Sequence, residues 1–142
     1  MATERGSMAA DLDVYAMALD TAARAEDEEG LRKYLPVAEE AAARVNHELY
    51  MAVVRRARGI GNRLAGDWDE AAGQLAKAVD EFRAFDTPWQ IGCTLIELGE
   101  VEQHRGNADL ARGHYSEALA AFEGLGAAPD TERASDALDS LA

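Results

Sequence analysis

Cysteine is nearly absent from this chain. The single thiol, Cys93, rules out an internal disulfide and a cysteine-built zinc cluster. Aromatic residues supply only 6% and β-branched residues are scarce, while alanine is abundant. Such a mixture suits closely packed helices better than sheets. There are only three prolines, Pro36, Pro88 and Pro129, and the last two stand at expected helix boundaries. Cations are also few: 14 Lys and Arg against 27 Asp and Glu leave a formal charge of −13. A surface this acidic repels phosphate backbones, which argues against a nucleic-acid partner. No apolar run approaches the ~20 residues of a membrane helix, and no secretory signal opens the chain. A soluble, cytoplasmic protein without a membrane partner is expected.

What remains is a chain of 142 residues, enough for one domain with a substantial core. Residues 1–7 are polar and read as a flexible tail or expression remnant, with Ser7 able to cap a first helix. Residues 8–142 read as a single helical domain. Apolar stripes at helical spacing (Leu49, Val53, Ala57, Ile60, Leu64; Ile91, Leu95, Leu98, Val101) alternate with capping signals. Asp67-Trp68-Asp69-Glu70 and Thr87-Pro88-Trp89-Gln90 read as capping boxes, and Asp27 and Asn107 as further caps. Helices are predicted near 8–25, 28–45, 48–65, 68–85, 89–105, 108–125 and 130–141.

A shift of 40 residues lays one hairpin on the next. Gly59 falls on Gly99, Gly66 on Gly106, Asp67 on Asn107, Ala71 on Ala111, Leu75 on Tyr115, Ala78 on Ala118 and Phe82 on Phe122. A second shift brings Leu31, Leu35 and Ala38 onto Ala71, Leu75 and Ala78. The predicted units are hairpins 8–45, 48–85 and 89–125, followed by a terminal helix. Gly66 and Gly106 suit left-handed helix ends. The matched alanines suit helix crossings. Leu75, Tyr115, Phe82 and Phe122 are expected to fill the space between neighbouring hairpins. Gly59 and Gly99, in mid-helix, each cost roughly 1 kcal/mol relative to alanine, which implies close approach of a partner helix.

The run Leu98-Gly99, Gly106-Asn107, Ala111, Tyr115 and Ala118-Leu119 resembles the signature of a tetratricopeptide repeat. The other copy keeps Gly59, Gly66-Asp67, Ala71 and Ala78 but has Arg58 where the signature prefers leucine. The 40-residue period exceeds the usual ~34. Longer repeats of this kind are similar to those of large ATP-binding LuxR-family regulators and related signalling ATPases, most closely between Asp86 and Leu141. The resemblance implies an all-α fold, a right-handed superhelical stack of antiparallel hairpins with about seven helices. Neither ATPase nor DNA-binding activity is implied, since the chain has no phosphate loop ending in GKS or GKT and no room for a DNA-binding domain.

Nothing in the sequence assembles a catalytic cluster, and no enzyme activity and no cofactor are expected. His47, His104 and His114 lack the spacing of a helical metal site and read as capping or solvated. Cys93 reads as a small buried residue. Acidic runs at helix starts complement the helix dipole. Trp68 and Trp89 open helices and are expected to pack across hairpin corners.

One feature stands apart. Arg55, Arg56, Arg58 and Arg63 crowd the third helix. In a stack of hairpins the first helix of each pair lines the concave face. By resemblance, the inward positions are Val53, Arg56, Ile60 and Arg63, then Cys93, Ile96, Glu100 and Gln103, with Asp13, Ala16 and Asp20 from the first helix. One reading is an arginine face paired with neighbouring acids. The sharper one is a groove in which Arg56 and Arg63 grip an acidic or C-terminal protein segment over Ile60 and Ile96, with Glu100 and Gln103 alongside. Charge reversal of both arginines is then expected to abolish capture without loss of helicity. The Lys and Asn of a chaperone-tail clamp are absent at the matching places, where Arg56 and Ile60 stand. The expected role is a non-enzymatic protein-interaction module in signalling or transcriptional control. The alternative is a sensor enclosing a small molecule or peptide between helices. The first helix, with Leu12, Tyr15, Ala16 and Leu19, has no cap before it and is a candidate homodimer surface; Ala134, Ala137, Leu138 and Leu141 read as a cap at the other end.

Overall fold

The computed structural model describes residues 14–141, and within them the chain is all-α. The described part of α1 covers residues 14–24. It is followed by α2 (Glu28–Val45), α3 (Glu48–Leu64), α4 (Trp68–Ala84), α5 (Pro88–His104), α6 (Ala108–Leu125) and α7 (Ala128–Asp139). The expected tail 1–7, Leu12 and Asp13 lie outside the described residues. Among the described residues helix boundaries fall within two residues of the predicted ones. The largest offset is at α7, which begins before Pro129 rather than after it, because proline fits a first helical turn where its missing N–H has no partner to lose.

Between the helices lies a corner every 20 residues. Glu26, Asn46, Gly66, Asp86, Gly106 and Gly126 all have φ between 52° and 84°. At each, the left-handed residue's N–H reaches back three residues and the next N–H reaches back five, as in Gly66 to Arg63 (3.0 Å) and Asp67 to Asn62 (2.9 Å). This doublet satisfies carbonyls that the helix end leaves orphaned. The 40-residue repeat is therefore two equal half-repeats. The capping expectation holds only in part. Asp27 accepts from the Gly30 N–H and His47 from the Tyr50 N–H. Asp67, Thr87 and Asn107 make no side-chain cap. The Thr87 hydroxyl instead donates to the Phe82 carbonyl, and the Asn107 amide to Glu102.

Packing follows the repeat. A Cβ on Gly99 would lie 2.4 Å from the Tyr115 ring, and one on Gly59 would lie 2.7 Å from Leu75. These large residues thus press into their own hairpin, where glycine lets the two backbones close up, and not only into the space between hairpins as expected. Phe82 does reach across, lying in one buried cluster with Ala16 of α1 and Ala52 and Val53 of α3, against which Ile91 of α5 packs. At the far end Ala134 is fully buried, and Ala137, Leu138 and Leu141 pack on the same core.

From α2 onward successive helices touch. Of the non-successive pairs from α2 onward, α3 meets α5 and α5 meets α7, while the even helices do not meet. Odd helices that touch and even helices that are splayed give a curved stack, with the odd helices on its inner side. Among the described residues no helix is long and apolar enough to cross a membrane.

Candidate functional site

The inner face is crossed by strings of polar contacts that run from one odd helix to the next. Arg56 of α3 is only 4% exposed. Its guanidinium donates to Gln90 (2.5 Å) and Thr94 (3.5 Å) of α5 and to Asp20 (3.4 Å) of α1, and it lies 5.3 Å from the centre of the Phe82 ring. Burial lowers its pKa, against the pull of Asp20. Arg24 of α1 lies over the Trp89 ring of α5, and the Trp89 indole N–H donates to Asp130 of α7 (3.0 Å). Two turns further along α3, Arg63 is held by Glu26 (3.2 Å), Glu97 (3.4 Å) and Glu100 (3.9 Å), and Glu97 also accepts from Arg133 of α7 (3.1 Å).

These pairs share a spacing. Trp89 and Asp130 aside, which stand 41 residues apart, partners on neighbouring odd helices stand 34 to 38 residues apart. That is about one helical turn less than the 40-residue period, so each side chain meets the residue a turn before its own counterpart.

The larger cluster is short of positive charge. Glu26, Glu97 and Glu100 face two arginines, Arg63 and Arg133. Burial pushes the Glu100 carboxyl from an ordinary 4.5 up to about 7, with Glu97's charge adding to the rise and Arg63 opposing it. The folded chain therefore holds this proton more tightly than the unfolded chain does. The resulting stability is fully present below pH 4.5 and is lost as pH rises through about 7. Glu100→Gln is expected to be more resistant to urea than the wild type on the alkaline side of that window and to lose its advantage on the acid side. A difference that stayed constant with pH would contradict this environment for Glu100.

The chain superposes on part of a signal transduction ATPase with numerous domains, a protein with a tetratricopeptide repeat sensor from Pyrococcus horikoshii, with a TM-score of 0.69 over 92% of this chain. The fold is a tetratricopeptide-repeat solenoid. Sequence identity across the solenoid is 20%, so the likeness is one of architecture. The chain spans 20% of that protein's length. No protein-family model and no curated protein matches the chain.

The solenoid places the expected groove residues unequally. Arg56 and Arg63 do lie on the inner face, but their guanidiniums are taken up by Asp20, Gln90, Thr94 and the three glutamates. Ile60 and Ile96 are buried in the core and form no groove floor. Glu100 is half-exposed and Gln103 exposed, the latter accepting from the Tyr115 hydroxyl (3.0 Å). Reversing the charge of Arg56 would accordingly strike the core, so the double reversal expected to spare helicity does not isolate a surface. The residues missed were Glu97, 8% exposed, hydrogen-bonded to Arg133 and ion-paired with Arg63, and Arg133 itself. Their 36-residue separation, matched by Asp20 and Arg56, was the available signal.

Elsewhere the solenoid absorbs the other reactive side chains. Burial pushes the Cys93 thiol up to about 11. His104 stacks on Trp68 at 4.3 Å, and burial lowers the pKa of His114. Trp89 ties α1 to α7 across the inner face rather than sealing a corner. On α1, Ala16 and Leu19 point into the core. Among the described residues of that helix the exposed large apolar side chains are Val14 (61%) and Met17 (71%), which would belong to a homodimer surface on α1 where Ala16 and Leu19 would not.

Proposed function

We propose that this solenoid is a non-enzymatic interaction module, acting in the cytoplasm in signalling or transcriptional control, whose inner face binds an extended segment of another protein. The sensor role named for the structural neighbour's repeats supports a regulatory setting. The observation that carries the reading is the imbalance around Glu97 and Glu100, where three carboxylates share two arginines. A lysine, an arginine or a terminal ammonium from the partner restores the balance, and the net charge of −13 steers such a segment in. The segment is thus basic, opposite in sign to the acidic one first expected.

Arrayed peptides of matched length and opposite charge provide the test. Lysine- and arginine-bearing peptides are expected to be retained, and Glu100→Lys, at a half-exposed site, is expected to weaken them by roughly tenfold, the loss of one charge-assisted contact. Retention of acidic peptides, or indifference to Glu100→Lys, would count against the reading.

A further inference from the structure

Arg63 sits among three carboxylates and holds them unequally. Its Nη2 meets Glu26 at 3.2 Å, its Nε meets Glu97 at 3.4 Å, and its Nη1 reaches Glu100 only at 3.9 Å. Glu97 turns its other oxygen to Arg133 (3.1 Å), so each of its oxygens faces a guanidinium. Even so, the Arg63 Nε and the Glu97 Oε2 opposite it are buried without a hydrogen bond. Glu97 is thus committed to the two arginines, and Glu26, with a side chain 59% exposed, is largely hydrated. Glu100 has the longest of these contacts and a side chain 38% exposed. It is the carboxylate left over, and it is within reach from outside.

Around Glu100 stand Glu26 at the α1–α2 corner, Arg63 of α3, Glu97 of α5 itself, the Tyr115 hydroxyl of α6 and Arg133 of α7. Among the described residues that face it there is no histidine. Burial pushes the Tyr115 hydroxyl up to about 12, so that group stays neutral near pH 7. Glu100, by contrast, changes charge near neutrality, burial holding it at about 7.

Two events therefore relieve the same deficit. A cation brought by a partner adds a third positive charge, and a proton on Glu100 leaves two carboxylates to two arginines. Both act on one carboxyl group, which once protonated no longer offers a cation a charge-assisted contact. We infer that proton and partner cation exclude one another at Glu100, so that mild acidification loosens the inner face's hold on its basic segment. This inference rests on the basic-segment reading and adds a regulator to it. Its sign follows from linkage. The partner favours the ionised carboxyl, so affinity is full above the free protein's midpoint and falls as pH drops through it. With that midpoint near 7, going from about pH 8 to about pH 6 takes the ionised fraction from about nine-tenths to about one-tenth. The expected loss of affinity is about tenfold.

The probe is a lysine-bearing peptide with acetylated and amidated ends and no histidine, since lysine keeps its charge up to about pH 10. Calorimetry at one ionic strength gives its affinity for the intact chain at the two pH values. The wild type is expected to bind it about tenfold more weakly at the lower pH. Glu100→Gln keeps the side chain's shape and removes the titrating group. It is expected to bind weakly at both, differing by less than about twofold. Equal affinity of the wild type at the two pH values, or a pH dependence that survives in Glu100→Gln, would overturn the inference and leave the basic-segment reading standing. Failure of the peptide to bind even at the higher pH would remove both.

Discussion

Arg56→Ala is expected to lower the stability of the solenoid by about 3 kcal/mol, the cost of removing one partner from a buried ionic network. The side chain is 4% exposed and joins α1, α3 and α5 through Asp20, Gln90 and Thr94 while lying against Phe82. Truncation leaves the Gln90 and Thr94 oxygens without their shared donor and opens a void beside an aromatic ring. Arg56→Met separates these contributions. It fills most of the void and removes a desolvated charge, so its cost should be only about 1 kcal/mol. Asp20 is a third exposed and can return to water. Asp20→Asn, by contrast, leaves the buried guanidinium without its anion. Combined with Arg56→Met it should cost little more than Arg56→Met alone, since residues within one network are not additive. Urea midpoints for the four proteins measure this. A loss below about 0.5 kcal/mol for Arg56→Ala is what a surface arginine gives, and would place this guanidinium in water.

Gly99→Ala should destabilise the chain by about 2 kcal/mol, the reverse of what helix propensity alone predicts. The added Cβ would lie 2.4 Å from Tyr115 Cε1. That ring cannot give way easily, being buried with its hydroxyl tied to Gln103. Gly113→Ala is the internal control. It sits within α6 with nothing inside 4 Å of the new Cβ, and should gain up to ~1 kcal/mol. Gly59→Ala should fall between the two, because Leu75 can change rotamer where a bonded tyrosine ring cannot. A stabilising Gly99→Ala would mean that α5 and α6 are further apart than 2.4 Å implies.

The 40-residue repeat was legible because glycine marks the corner within two hairpins, at Gly66 and Gly106, and because alanine and aromatic positions recur with it. The 20-residue half-repeat was not. Of its other corners only Gly126 carries a glycine; at Glu26, Asn46 and Asp86 only the backbone reveals the left-handed turn. Capping was half legible: a residue type able to cap stands before each helix from α2 to α6, though Ala127 stands before α7, and the backbone doublet at every corner left Thr87 and Asn107 free to bond elsewhere. The site was harder still. Sequence placed Arg56 and Arg63 on the inner face through resemblance, yet could not show that Asp20, Glu97 and Glu100 occupy them. That depends on adjacent odd helices being offset by a turn. The same offset sends Ile60 and Ile96 into the core.

The most direct test of the inner-face account is the titration of the Glu100 side-chain carboxyl, followed by carbon NMR with and without a lysine-bearing peptide. A midpoint near 7 in the free protein, falling when the peptide's cation enters, is the predicted result. A midpoint at the ordinary 4.5, or one near 7 that does not move while peptide is bound, would show that the inner face has no unmet negative charge for a partner to neutralise.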